Sequence, residues 1–377
     1  MQFSKIIGNA ALKARLIGNV REGRVAHAQF FLGPRGSGVL PMALAYATYL
    51  LCEDPGEGDS CGNCASCAMV AKLAHPDLHL AFPIFFSDNV KTCDPFMADW
   101  RAAVGNVPYM DAETWRASLA GGENKQLRMG VDIAAEVVRK LSLKPFRGGW
   151  KVMLIWLPEM MDPAMANKLL KVLEEPDPRT VFLLAGESHD RILPTILSRT
   201  QLVKVPPPGQ AEVAVALRAR FPELTDELAH AVAARSEGDL LEAFAMAEGN
   251  EDELFVFFRD WLRACFANKV EAYVGAGDYF AKMGREEQKA LIFYALHLIR
   301  QCILQWQDVP QLVTAIGEEM DFVRKFSMLL NPANAEGIRR ELETAHAHME
   351  RNANAKVLFL DLSYRLSILL RTKEVMA

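Results

Sequence analysis

Apolar positions recur along this chain at two periods, and the change between them divides it. In the first 205 residues short, continuous apolar runs stand between helical stripes. Leu12, Leu16, Ile17 and Val20 share one helical face over residues 10–20. Residues 29–32 (QFFL) run into Gly33-Pro34 and predict a buried strand and turn, followed by a helix over about 40–51. Residues 151–157 (KVMLIWL) and 181–185 (VFLLA) predict two more buried strands. Between them Asp162-Pro163 predicts an N-cap with proline at the first helical position. Ala166, Leu169, Leu170 and Leu173 form the stripe of that helix, which ends at Glu174-Glu175-Pro176. Continuous apolar strands between helices predict a parallel sheet covered on both faces.

Pro206-Pro207-Pro208-Gly209 is the clearest joint. Beyond it only helical periodicity remains, with a second polar joint at Gly249-Asn250-Glu251-Asp252. Leu291, Ala295, Leu298 and Cys302 form one stripe, and Ile292, Phe293, Leu296, Ile299 and Ile303 a second. So wide an apolar face predicts a helix packed on two sides, in a bundle or at an oligomer interface. A last apolar helix is expected over about 355–371. Residues 80–126 fit the scheme least well. With Trp100, Trp115, Pro95, Pro108 and a Gly121-Gly122 turn, they read as an insertion with some helix of its own.

Composition narrows the class. The 377 residues are 51% apolar and 24% charged, which excludes a mainly disordered chain and predicts two or three domains. A net charge of −5 makes no electrostatic case for nucleic-acid binding by the whole chain. Residues 1–9 contain no signal-peptide apolar core, and the longest nearly apolar run, 42–52, is far short of the roughly 20 residues that span a bilayer. The expectation is a soluble cytoplasmic protein.

Seven cysteines are too few for a disulfide scaffold. Cys93, Cys265 and Cys302 stand alone, whereas Cys52, Cys61, Cys64 and Cys67 read C-x8-C-x2-C-x2-C. A Cys-x2-Cys pair puts two thiolates on one turn, close enough to share a tetrahedral ion at about 2.3 Å. Pro55, Gly56, Gly58, Gly62 and Asn63 supply the tight loops between them. Four thiolates fill the coordination sphere, so the expected group is a structural Zn²⁺. His75 reads as a capping or packing residue.

Gly33-Pro34-Arg35-Gly36-Ser37-Gly38 follows a strand and opens a helix, the setting of a phosphate-binding loop. The full motif continues with Lys and Ser/Thr; here Val39 and Leu40 stand there. The ammonium that would neutralise the β- and γ-phosphates is missing, and so is the hydroxyl that would ligate Mg²⁺. Trp156-Leu157 end the next core strand where an ATPase needs an acidic pair, with Glu159 displaced from the tip. Ala185-Gly186 end the third strand and offer no polar side chain. No bound ATP is expected.

Several stretches resemble the bacterial DNA polymerase III clamp-loader subunits. They are Ile6-Ile7-Gly8-Asn9, the run from His27 to Pro34, the four-cysteine module, the run from Ala166 to Pro176, and Leu193-Pro194-Thr195-Ile196-Leu197-Ser198-Arg199. Ser236-Glu237-Gly238-Asp239 resembles the family's lid, and Glu350-Arg351-Asn352-Ala353-Asn354 part of its collar. The resemblance implies an α/β AAA+ P-loop-type domain with a parallel sheet and inserted zinc module (1–205, zinc at about 52–67). A small helical lid (206–250) and an all-α helical collar for oligomerisation (251–377) would follow. The degenerate loop at Gly33, Gly36, Gly38, Val39 and Leu40 points to a subunit that does not hydrolyse ATP. The family's Ser-Arg-Cys motif reads Ser198-Arg199-Thr200 here, implying that Arg199, supported by Ser198, is an arginine finger donated to a neighbouring subunit's ATP. The family's lid arginine would fall near Leu241, which is apolar. The implied partners are the clamp-loader ATPase and delta subunits through the collar, with the sliding clamp and primed DNA reached through the assembled complex at the nucleoid-associated replisome, and no membrane. Two rival readings are an active ATPase with an atypical site, opposed by Val39, Leu40, Trp156 and Leu157, and a zinc-dependent DNA-binding regulator, opposed by the net charge.

Overall fold

The computed structural model describes the chain apart from residues 88–89, 120–125, 147–148, 249–251, 316, 351–352 and 373–377, and apart from the side chains of 252, 253, 286 and 350. The expected Gly121-Gly122 turn, most of the joint at 249–252, and residues 351–352 of the collar-like stretch lie outside the described residues. The rest falls into two compact units. One holds Met1–Pro222 with Ser236–Phe244; the other holds Glu223–Arg235 with Ala245–Ala377.

The first unit opens with α1 (Ala10–Arg21), β1 (Ala28–Leu32), α2 (Val39–Leu51) and α3 (Ala65–Ala71). There follow β2 (Leu78–Ala81), β3 (Ile84–Phe85), α4 (Met97–Asn106), α5 (Ala112–Ser118), β4 (Leu127–Arg128) and α6 (Val131–Leu141). It continues with β5 (Lys151–Trp156), α7 (Pro163–Glu174), β6 (Thr180–Gly186), α8 (Pro194–Leu197), β7 (Gln201–Lys204) and α9 (Gln210–Arg220). Strands β2-β5-β6-β1-β7 form one all-parallel sheet in that order. Every residue of β5 and β6 is buried, as continuous apolar strands require. Asp162 caps α7 as expected, its Oδ1 accepting the Met165 N–H at 2.7 Å.

One boundary needs correction. Leu80 and Ala81, assigned to the insertion by the sequence pattern, belong to edge strand β2, which pairs with β5 from Leu78↔Val152 to Ala81↔Ile155. A four-residue strand containing His79 and running into Phe82-Pro83 has too little periodicity to stand out. The remaining insertion is not a loose excursion. Phe82 stacks on Trp100 at 4.2 Å with planes 3° apart, and Trp115 meets Trp100 edge-on at 5.2 Å. Trp100 packs in turn on Trp156 at the tip of β5, at 4.8 Å. The apolar end of that strand is therefore the floor of the insertion's aromatic cluster.

Helices α10 (Asp226–Arg235) and α11 (Leu240–Ala247) follow α9. The rest is helical: α12 (Asp252–Phe266), α13 (Val270–Lys282), α14 (Arg285–Trp306), α15 (Gly317–Ser327), α16 (Ala335–Glu350) and α17 (Ala355–Leu369). The first α14 stripe, Leu291, Ala295, Leu298 and Cys302, is wholly buried. Ile292 and Ile299 join it from the second, whereas Phe293 is 60% exposed. Trp261, Phe280 and Phe359 stack in this second core, and Trp261 Nε1 donates to Ser363 Oγ at 2.9 Å.

Candidate metal centre and phosphate-loop cleft

The four cysteines lie where α2 ends and α3 begins. Cys52 is the C-cap of α2, and Cys64 N-caps α3, its sulfur accepting the Cys67 N–H. All four Sγ atoms lie within 4.8 Å of one another. The Cys52–Cys61 and Cys61–Cys67 sulfur separations are 3.5 and 3.9 Å. A tetrahedral ion with sulfur at about 2.3 Å requires sulfurs about 3.8 Å apart, so this donor set fits Zn²⁺. Backbone N–H groups of Cys61, Cys64 and Cys67 donate to the sulfurs of Cys52, Cys61 and Cys64 at 3.3–3.4 Å. Such donors favour thiolates. At Cys61, N–H donation from Asn63 and Cys64 draws the thiol pKa down to about 7. Burial pushes those of Cys52 and Cys67 up, an opposition that a bound dication would relieve.

The module is fastened on two sides. Asp59 accepts the N–H groups of Phe3 at 3.0 Å and Ser4 at 2.8 Å. Burial opposes its ionisation, but donation from Ser4, Phe3 and Ser60 outweighs burial and holds its pKa below the usual value. His75 is a packing residue, as expected: Nδ1 accepts the Asp77 N–H, and Nε2 lies 3.2 Å from Ser66 Oγ.

The phosphate loop follows β1 and leads into α2. Gly36 and Gly38 adopt φ of +68° and +89°, the left-handed region that glycine occupies freely. Pro34, Gly36, Gly38, Val39, Leu40 and Pro41 form one wall of a cleft. Tyr109, Met110, Trp156, Ala185, Gly186 and Glu187 form the other. The space left is about 20 Å³, room for about one water molecule. Tyr109 and Met110 come from the insertion. A Cβ placed on Gly38 would sit 2.9 Å from the Tyr109 ring, so the fit depends on glycine there.

Acids gather at this cleft. The sequence reading sets Glu159 away from the tip of β5 and puts no polar side chain at the end of β6. The fold brings two carboxylates there. Leu157 adopts φ +52°, and the turn that follows carries Glu159 back, where its Oε1 accepts the Glu187 N–H at 2.8 Å and the Ser188 N–H at 3.3 Å. Burial first, then Asp111 and Glu159, push the Glu187 carboxyl up to about 7. Arg35, the loop's single cation, donates from Nε to Asp111 at 2.6 Å and from Nη1 to Asp239 at 2.7 Å. Burial opposes ionisation of Asp111, yet Arg35 and Thr114 outweigh it and hold the carboxyl below its ordinary range.

Arg199 stands between α8 and β7, away from the residues that line the cleft. Its guanidinium donates to Glu174 through Nε at 2.7 Å and to the Thr195 carbonyl at 2.9 Å, with Ser198 Oγ 3.4 Å away. About a third of the side chain is exposed. Leu241 follows Asp239 at the start of α11, its N–H donating to Asp239 Oδ1.

This is a P-loop-type α/β unit whose phosphate loop has kept its glycines and carries Val39 and Leu40 where the motif has lysine and a hydroxyl. The family model described as "DNA polymerase III, delta subunit" matches residues 8–209, more than half the chain, and the chain belongs to that family. It is 25% identical to the DNA polymerase III subunit delta' of Escherichia coli (strain K12) over 320 residues, covering 81% of this chain and 80% of the relative. It is 32% identical to the subunit delta' of Pseudomonas aeruginosa over 218 residues, 58% of this chain and 55% of the relative. A solved DNA polymerase III gamma subunit-related protein of Thermotoga maritima aligns at 15% identity and a TM-score of 0.43, over 95% of this chain and 100% of its own.

Proposed function

We propose that this chain is a non-hydrolysing subunit of the DNA polymerase III clamp loader. The observation that carries the reading is the cleft. In a chain of this family, the place where β1 meets its glycine loop lacks the lysine and hydroxyl, is filled by Tyr109, Met110 and Trp156, and is bordered by Glu187, with Asp111 near enough to raise that carboxyl. Carboxylates facing a triphosphate repel it, and a void of about 20 Å³ admits no nucleoside. The subunit would then support ATP chemistry elsewhere. Arg199, oriented by Ser198, acts as an arginine finger on a neighbouring subunit's ATP, its pairing with Glu174 holding the guanidinium until assembly exchanges one anion for another.

The rest of the reading follows from this assignment. The chain divides at 206–209 and near 250 into a degenerate AAA+ domain, a lid and a collar. The collar joins the ATPase and delta subunits, and the assembled loader places the sliding clamp on primed DNA in the cytoplasm. Cys52, Cys61, Cys64 and Cys67 hold a structural Zn²⁺. Among the described residues no helix is long and apolar enough to cross a membrane. The test is Arg199→Ala in a reconstituted loader. The variant folds and assembles, and the turnover that depends on this finger falls by a factor of up to about 10³–10⁵. An unchanged ATPase rate rejects the finger. Micromolar binding of Mg-ATP to the purified chain, read by calorimetry, would restore the active-ATPase alternative.

A further inference from the structure

The three residues Tyr109, Met110 and Asp111 do more than fill the cleft. Tyr109 Oη accepts the Ile7 N–H at 3.0 Å, and its ring meets Phe244 of α11 edge-on at 6.2 Å. Phe244 is covered on another side by the Arg220 guanidinium, 4.6 Å from its centroid. Asp111 N-caps α5 through the Thr114 N–H at 2.8 Å and also holds Arg35. The second carboxylate on Arg35 is Asp239, whose Oδ1 accepts the N–H groups of Leu241 and Glu242 where α11 begins. The loop backbone closes the circuit: the Gly36 carbonyl accepts the Leu240 N–H at 3.2 Å, and a Cβ on Gly36 would fall 1.9 Å from Asp239 Oδ1.

Phosphate loop, insertion and the start of α11 are thus joined by an apolar plug, an ion triad and a backbone hydrogen bond. In a P-loop protein that binds nucleotide, the ligand makes the contacts that join such segments, and they loosen when it leaves. Here the joining groups are covalently part of the chain. We propose that Tyr109, Met110 and Asp111 are a built-in substitute for nucleotide: they occupy its cleft and, through Arg35 and Asp239, clamp α11 to the phosphate loop in one arrangement that does not respond to ATP. This rests on the non-hydrolysing reading and gives it a physical device. The insertion is then a lock on this unit, and the neighbouring subunit always meets the same partner surface.

Hydrogen–deuterium exchange of the full chain tests it, with Tyr109→Ala and Arg35→Gln as variants. Arg35 is about half exposed, so its replacement leaves the core intact if Tyr109→Ala does not fold. Both variants should speed amide exchange over residues 36–41 and 240–244 together by roughly tenfold, the effect of losing a charge-assisted pair or a packed aromatic. Exchange in β5, β6 and the C-terminal unit stays unchanged, and millimolar Mg-ATP alters nothing in the wild-type chain. Unchanged exchange at 240–244 in Arg35→Gln overturns the clamp and leaves the non-hydrolysing reading standing. Protection of residues 33–41 of the wild-type chain by Mg-ATP overturns that reading itself.

Discussion

The cysteine module and the phosphate-loop cleft sit at opposite ends of one helix, α2, and are furnished in opposite ways. At the C-terminal end the whole donor set is present, and its sulfurs are spaced for a tetrahedral ion. At the N-terminal end the glycine loop carries Val39 and Leu40 where the motif has lysine and a hydroxyl, and side chains from a distant segment line the cleft. A metal-type donor set constrains spacing, because an ion tolerates little error in ligand position. A cleft beside a loop without those side chains leaves space, and a cavity in a packed core is costly unless something fills it. The aromatic insertion fills it, and the burial of Trp156 at the β5 tip follows.

Several measurements would break or sharpen that contrast. Removal of zinc should have the largest effect. Chelation, or Cys64→Ser, should release one equivalent of metal and unfold or strongly destabilise the first unit, since structural zinc in small modules is worth about 10–16 kcal/mol of apparent binding energy. Metal analysis alongside thermal melting reads this, and a metal-free chain with native stability would end the comparison. Trp100→Ala comes next. It removes the ring joining Phe82, Trp115 and Trp156 and should cost about 3–5 kcal/mol in denaturant unfolding of the first unit, leaving metal content unchanged.

The smallest effects separate the two regions by the sign of their pH dependence. The carboxyl of Asp59 is lowered in the fold from 3.8, so the stability it contributes is present above pH 3.8 and is lost as pH falls through the folded value. Asp59→Asn should therefore lower stability near neutral pH. Glu187 is raised from 4.5 to about 7, so the folded chain binds the extra proton between those values and stability falls as pH rises across that window. Glu187→Gln should raise stability at pH 8, with a gain that shrinks towards pH 5. Urea titrations at several pH values check both, and equal behaviour of Glu187→Gln and wild type from pH 5 to 8 would remove Glu187 from the buried cleft.

Much of this was legible in the chain. Short-range patterns carry β1, β5, β6, the Asp162 cap and the four-cysteine spacing, because each depends on neighbours in sequence. The absence of lysine and hydroxyl at Val39 and Leu40 is equally local. Strand β2 was not legible, because an edge strand four residues long is defined by its pairing with β5. Glu187 was missed, and the place of Glu159 beside it was not foreseen, for a related reason: the left-handed Leu157 turn brings Glu159 back to β6, and no spacing rule anticipates it. Glu187 did leave one signal, an acid directly after an apolar strand.

The sequence by itself determined the parallel α/β class, the helical remainder, the zinc-type ligand set and the absence of lysine and hydroxyl at Val39 and Leu40, since residue identity and near-neighbour spacing dictate each of these. Only the tertiary structure decided which side chains fill the cleft beside the loop. Tyr109 meets Gly38, and Arg35 joins Asp111 to Asp239, through contacts between segments scores of residues apart, and packing alone selects such partners.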